Sequence, residues 1–392
     1  MQTISLSEVI TDIAAGPFGS NLKVSCFVES GFPIIDGANL KGFKVTDNVT
    51  KFVTEEKARS LHRAIAKRND VVVTISGTLG QIAYIPMDSQ YDEYLVSQRQ
   101  FRVTFDTTKV YVPYLVFYFH TYEGQHKILS FANQVGVPAL SQPLKNFRSI
   151  KIDLPTLEEQ KKIASIVESI NNKIENNAAI NNNLEQQATT MFRRFYDSSN
   201  NTVPFTSMIR VLGGGTPKTG EPSFWNGTIP FFTPKDVGSP YSFNTEKTIT
   251  EEGLNHCNSR LYPQNTVFVT ARGTVGKVSM AGLPMAMNQS CYALVGINID
   301  QILAYHYTLV TVNKLKHKAT GAVFDAIITK DFETESISRL TDKDAEDFLA
   351  VAKPIYSAIL TNSLENQRLI SLRDTLLPRL MSSKLDLSDV DF

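Results

Sequence analysis

Asn69-Asp-Val-Val-Val-Thr-Ile-Ser-Gly-Thr-Leu-Gly-Gln-Ile82 recurs 196 residues later as Asn265-Thr-Val-Phe-Val-Thr-Ala-Arg-Gly-Thr-Val-Gly-Lys-Val278, with seven of 14 positions identical. A repeat of this length governs how the rest of the chain is read. Working outward, Pro33-Ile-Ile-Asp-Gly-Ala-Asn-Leu40 aligns with Pro230-Phe-Phe-Thr-Pro-Lys-Asp-Val237 at an offset of 197, and Gln98 with Gln289 at 191. Thr156-Leu-Glu-Glu-Gln-Lys-Lys-Ile163 aligns with Thr341-Asp-Lys-Asp-Ala-Glu-Asp-Phe348 at 185, so the second copy has the shorter loops. The chain reads as a tandem duplication.

Each copy has two parts. The first holds short runs of β-branched and aromatic residues, such as Val71–Ile75, Phe101–Phe105, Val267–Thr270 and Tyr292–Ile297, broken by glycine, proline and asparagine. These read as strands of a mixed, mainly β domain. The second part is a long helix. Ile163, Val167, Ile170, Ile174, Asn177, Asn181, Leu184, Ala188, Met191 and Phe195 alternate steps of four and three, which is a heptad seam. Thr156 and Glu159 form a capping-box pattern at its start. The second copy repeats the seam through Phe348, Ala352, Ile355, Ile359, Asn362, Asn366, Leu369, Arg373, Leu376 and Leu380. An asparagine pair falls at the same two steps in both seams. Asparagine there costs stability and can fix register and orientation, so the two helices are expected to pair with each other or with a partner's helices. Pro354 lies inside the second pattern and is expected to kink that helix or to mark its start.

With 392 residues, 42% of them hydrophobic and 20% charged, the composition is that of a folded chain of two or three domains, not a disordered or fibrous one. Lysine plus arginine (39) equals aspartate plus glutamate (39), which argues against a polybasic nucleic-acid or membrane binder. By segment the net charge is +2 over residues 1–153, +1 over 198–335, zero over 156–196 and −2 over the last 57 residues. The β-rich parts are thus slightly the more positive, the sign expected of a DNA-facing surface. Cys26, Cys257 and Cys291 are far apart, so neither a disulfide framework nor a thiol zinc site is expected. The amino end does not read as a secretory signal, and no apolar run approaches the ~18 residues of a membrane span. A cytoplasmic protein without membrane contact is expected.

Catalytic signatures are missing. HExxH, GxxxxGK[ST], GxSxG and Asn-Pro-Pro-Tyr/Phe do not occur. Gly213-Gly-Gly215 reads as a turn after a strand. Asp36 with Glu55-Glu-Lys57 matches only the loosest nuclease pattern, and the six histidines never fall at metal-ligand spacing. No catalytic residue and no metal ligand is assigned.

The repeated loops, Ser76-Gly-Thr-Leu-Gly-Gln81 and Arg272-Gly-Thr-Val-Gly-Lys277, follow a buried-looking strand. The bland reading is a turn needing positive φ or close backbone packing. The sharper reading is a backbone that approaches DNA, with Ser76, Thr78, Gln81, Arg272, Thr274 and Lys277 reaching phosphates or base edges. The two loops differ where copies reading different sequences would have to differ.

Four further segments carry a resemblance. Gly16-Pro-Phe-Gly-Ser-Asn-Leu-Lys23 and Gly214-Gly-Thr-Pro-Lys-Thr219, the latter followed by Phe224–Val237, open the two β-rich parts. Leu154-Pro-Thr-Leu-Glu-Glu-Gln-Lys-Lys-Ile163 and Leu369-Ile-Ser-Leu-Arg-Asp-Thr-Leu-Leu-Pro-Arg-Leu-Met-Ser-Ser-Lys384 start the first helix and end the second. In these the chain resembles the specificity subunits of type I restriction–modification systems. The second helix entry departs from the pattern, with Leu340-Thr-Asp-Lys-Asp344 replacing Leu-Pro-x-Leu-Glu-Glu.

The resemblance implies an α+β fold: two mainly-β, mixed target recognition domains separated by two long helices that pair as an antiparallel coiled coil, in a pseudo-twofold internal repeat. The boundaries implied are 1–153 and 198–335 for the recognition domains, 154–197 and 336–385 for the helical regions, and 386–392 for a tail. It further implies a non-catalytic subunit that reads a bipartite, asymmetric double-stranded DNA site. Two methylation subunits, and through them restriction subunits, would hold S-adenosylmethionine, ATP and Mg2+. Candidate DNA-contacting residues, chosen by type and position, are Ser20, Asn21, Lys23, Lys41, Lys44, Ser76, Thr78, Gln81, Arg99, Lys218, Lys235, Arg272, Thr274 and Lys277. The rival readings are a lone nuclease or methyltransferase, and a coiled-coil protein-interaction adaptor without DNA reading.

Overall fold

The computed structural model of the protein describes residues 2–133, 136–318 and 326–382. They fall into two compact units, one built from residues up to 173 with those from 369 onward, the other from residues 174–368. The last residues of the second helical stretch, 383–385, and the tail, 386–392, lie outside the described residues.

In the first unit the repeated segment supplies a central strand. Val71–Thr74 has all four side chains buried, as β-branched residues of a two-sided strand should be. It lies in an antiparallel sheet of order Ile10–Ala15, Gln100–Phe105, Val71–Thr74, Ile82–Tyr84. A second sheet holds the parallel pair Phe32–Ile35 and Glu93–Val96, with Ile34 opposite Leu95. The wholly buried helix Val112–Phe119 packs against the first sheet. Gln2–Ser5 pairs with Lys151–Leu154 and brings the chain back to where the first long helix begins.

The second unit repeats this plan. Its sheet runs Ile209–Gly213, Cys291–Gly296, Val267–Thr270, Val278–Ala281, with Tyr241–Ser242 added at the edge. Registers correspond: Phe101 opposite Val73 in one unit becomes Tyr292 opposite Val269 in the other. The parallel pair recurs as Phe231 opposite Ala286, and the closing pair as Thr202–Pro204 with Ser336–Ser338. The three cysteines are unpaired.

The long helices are Leu157–Ser198 and Asp342–Met381. Thr156 and Glu159 cap the first reciprocally: the Thr156 N–H donates to Glu159 Oε2 (2.9 Å) and the Glu159 N–H to Thr156 Oγ1 (3.3 Å). The divergent second entry does equivalent work, because the Asp344 N–H donates to Thr341 Oγ1 at 3.1 Å and Thr341 Oγ1 to Asp344 Oδ2 at 2.7 Å. This cap, not Pro354, sets the start of the second helix. Pro354 lies within the helix on its exposed face, where water can take the carbonyl the ring leaves unbonded.

Within each unit the helix segments run antiparallel and bury one stripe. Residues Ile163, Val167, Asn171, Leu377, Leu380 and Met381 are buried in the first unit. Asn177, Asn181, Ala188, Phe192, Tyr196, Phe348, Ala352, Tyr356 and Ile359 are buried in the second. The heptad positions Ile174, Leu184, Asn362, Asn366 and Leu369 are half-buried seam members. At five places the buried residue lies one position past the heptad residue: Asn171 after Ile170, Phe192 after Met191, Tyr196 after Phe195, Tyr356 after Ile355 and Leu377 after Leu376. A straight α-helix drifts about 20° per heptad from a strict 3.5-residue repeat, and the sheet domains capture the drifted face. Among the described residues no helix is long and apolar enough to cross a membrane.

Candidate nucleic-acid interface

The repeated loop keeps the same glycine conformations in both units. Its glycines have positive φ at Gly77 (94°), Gly80 (86°), Gly273 (81°) and Gly276 (74°), a region side-chain-bearing residues disfavour. Close packing adds to this requirement. A Cβ on Gly80 would sit 2.2 Å from Gln125 Oε1, and one on Gly276 2.4 Å from Lys316 Cε. Gly214 and Gly215 serve close approach alone, to the Asn288 carbonyl and the Asn258 backbone.

In the first unit this loop forms one wall of a cleft of about 600 Å³ lined by Asp36, Lys51, Ser76, Thr78, Gln81 and Arg99, among others. Arg99 is exposed, with its guanidinium over Gly77. It makes no ion pair among the described residues. Lys51 pairs with Asp36 at 2.7 Å. Burial would raise the Asp36 carboxyl, but the Lys51 and Ala38 donors outweigh it and hold it below the usual range. Gln81 is engaged at both ends: its Oε1 accepts from Thr74 Oγ1 (3.0 Å) and its Nε2 donates to the Gly37 carbonyl (3.0 Å). The groups left to face the cleft from the loop are Ser76, Thr78 and, beside them, Arg99.

The opening segment Phe18–Lys23 lies on the rim, with Ser20, Asn21 and Lys23 exposed and Leu22 lining the cleft. Gln98 abuts it, since a Cβ on Gly19 would lie 2.7 Å from Gln98 Oε1. Lys41 and Lys44 are elsewhere, on a loop that docks on the helices: Lys44 Nζ donates to Asn172 Oδ1 at 3.2 Å, and Arg373 lies 5.2 Å over the Phe43 ring.

In the second unit Arg272, Thr274 and Lys277 are exposed on the loop. Thr274 Oγ1 donates to the Pro234 carbonyl at 3.1 Å, and Lys235 lies 3.4 Å from Glu246. Lys218 is exposed on the opening segment, whose Thr216 hydroxyl donates to Gln289. Gln98 and Gln289 therefore brace equivalent segments, a role their alignment alone did not reveal. Lys51 and Lys316 were not singled out by sequence, because each joins its site from an element distant in the chain. Among the described residues no group of three or more His, Cys, Asp or Glu could hold a metal ion. Asp36 is used in a cap and an ion pair, and Glu55 pairs with Arg59 at 2.8 Å.

Residues 19–186 and 200–338 match the family described as type I restriction modification DNA specificity domain. The chain is 32% identical over 121 residues to the type I restriction enzyme MjaIX specificity subunit of Methanocaldococcus jannaschii, a match covering 29% of this chain and 28% of that one. It is 19% identical over 391 residues to the HindI specificity subunit of Haemophilus influenzae, covering 78% of this chain and 84% of that one. The crystal structure of a type I restriction–modification system S subunit from M. genitalium shares the fold, with a TM-score of 0.58 at 13% identity over 97% of this chain and 95% of that one.

Proposed function

Since the chain belongs to the type I restriction modification DNA specificity family, we propose that it is the sequence-reading subunit of a type I restriction–modification complex. Each β-rich domain reads one half of a bipartite, asymmetric site in double-stranded DNA, and the paired helices set the gap between the halves. Two methylation subunits dock on the chain, and restriction subunits join through them. The complex methylates adenine N6 from S-adenosylmethionine or cleaves unmethylated DNA with ATP and Mg2+. The partners hold those cofactors and the catalytic residues and extrude the target base. This chain contributes no catalytic group.

One observation carries the reading. The same strand–loop frame occurs twice, with the same glycine conformations, and presents different side chains at its tip: Ser76 in the first unit against Arg272 in the second. A duplicated frame with divergent polar tips is what two readers of different base sequences require. A coiled-coil adaptor would have no need of it.

The test is a base-resolution map of N6-methyladenine in the source cell, with and without the gene. Loss of one two-part motif of fixed gap is expected. An unchanged map, together with failure of methylation subunits to co-purify with the chain, would overturn the proposal.

A further inference from the structure

The two units are alike in frame but unlike in charge at one point. In the first unit the second loop glycine, Gly80, is covered by Gln125, whose Nε2 donates to the Gly80 carbonyl (2.8 Å) and to the Phe119 carbonyl (2.7 Å). Gln81, next in the chain, is likewise satisfied within the fold. In the second unit the equivalent positions are both lysines. Lys316, from the helix Gln301–Lys318, lays its Cε against Gly276, and Lys277 follows in the loop.

These two lysines line a cavity of about 910 Å³ with Arg193 of the first long helix. Other cations there are spoken for. Lys314 Nζ donates to Tyr196 Oη (3.0 Å) and to the Ser336 carbonyl (3.2 Å), and Lys318 pairs with Glu335. Lys277 and Lys316 make no ion pair or side-chain hydrogen bond among the described residues. Asp197, the carboxylate lining the cavity, pairs with neither. Burial, and then the neighbouring Lys277, lower the proton affinity of the Lys316 ammonium. Two like charges held together without a counter-charge are unfavourable unless an anion joins them.

We infer that Lys277 and Lys316 form a seat for a backbone phosphate of duplex DNA in the second unit, and that the first unit, with Gln81 and Gln125 at these positions, lacks it. The inference rests on the DNA-reading function proposed above and deepens it. The two half-sites are then held unequally, the second unit adding one charge-dependent contact that the first lacks. The seat carries no sequence information, because a phosphate is the same at every step.

The test uses the full chain and a mixed-sequence duplex, with affinity measured between about 50 and 200 mM salt. Each neutralised phosphate contributes about 0.9 to the slope of log affinity against log salt, so Lys277→Gln with Lys316→Gln, which empties the one seat, should flatten the slope by about 0.9, and either alone by no more than that. The charge-matched control Lys161→Gln with Lys343→Gln, at exposed helix positions, should leave it unchanged. Trp225 fluorescence, the signal of the chain's one tryptophan, confirms that the variants are folded. If the wild type binds and the double variant keeps its slope, the phosphate seat is wrong while the DNA-reading function stands. That holds also if the variant loses its methylation subunits, which would assign the lysines to a partner's carboxylate. A wild type with no salt-dependent DNA binding would overturn both.

Discussion

Replacing Asn181 and Asn362 by leucine, singly and together, tests whether the asparagines of the helix pair act as one unit. Asn181 is buried, with 8% of its surface exposed. Its Nδ2 donates to Ser363 Oγ (3.1 Å) and to the Ile359 carbonyl (3.4 Å), and its Oδ1 accepts from Asn362 Nδ2 (2.9 Å). One layer away, Asn177 Nδ2 donates to Asn366 Oδ1 (2.9 Å) and to Glu365 Oε2 (2.8 Å), and Asn366 Nδ2 to the Ile174 carbonyl (3.2 Å). Asn181→Leu removes three hydrogen bonds and strands the Asn362 amide. At about 1 kcal/mol net per bond, it should cost about 2–3 kcal/mol. Adding Asn362→Leu removes the stranded group and creates an apolar contact, so the double variant should recover at least half of that loss. The assay is urea unfolding of the second unit followed by Trp225, which lies in that unit against Phe231 with ring centroids 5.6 Å apart. Asn362→Leu alone loses one bond, about 1 kcal/mol, so a coupling of about 2 kcal/mol is expected from the cycle. Losses that simply add, within about 0.5 kcal/mol, would refute the reasoning, since independent sites behave that way.

Three further outcomes are expected. Gly80→Ala and Gly276→Ala should each destabilise their own unit by about 1–3 kcal/mol through positive φ and collision; a urea midpoint within error of wild type would contradict the loop geometry. His306 is buried against Phe192 and Tyr356, and burial drives its pKa down to about 3. The unfolded chain therefore binds the extra proton between about pH 6.5 and 3, so stability present above pH 6.5 is lost as pH falls through that window; His306→Asn should flatten the acid limb of the Trp225-detected stability curve, and an unchanged limb would mean that the histidine is not buried neutral. Exchanging residues 200–338 for the matching domain of another family member should change one half of the methylation motif and leave the other, and a change in both halves would defeat the modular reading.

How much of this was legible beforehand differs between fold and site. The duplication was open to view because the strand Val71–Thr74 and its glycine loop meet constraints that few residues satisfy: burial on both faces, then two positive-φ turns. The helix seam was legible at its centre, where helix faces helix and the heptad applies. It was not legible at Phe192, Tyr196, Tyr356 and Leu377, which turn toward the sheet cores where a straight helix departs from the 3.5-residue period. The second cap was hidden because Thr341 and Asp344 close that helix end with a shorter acid than the family pattern has.

The site was harder to read because residue type does not determine where a side chain goes. Gln81 and Lys277 occupy the same place in the same loop, and both suit DNA contact by type. The Gln81 amide can satisfy Thr74 Oγ1 and the Gly37 carbonyl together, one as acceptor and one as donor. A lysine at that position has no acceptor to offer the hydroxyl. In the second unit the corresponding Thr270 hydroxyl turns instead to the backbone, donating to the Thr274 carbonyl and accepting from the Lys277 N–H at 2.9 Å. The Lys277 side chain is thereby released toward Lys316. One change of functional group thus turns a side chain held in the cleft wall into an exposed one on the same strand–loop frame, which is how a duplicated frame can keep its fold while its two copies diverge in what they touch.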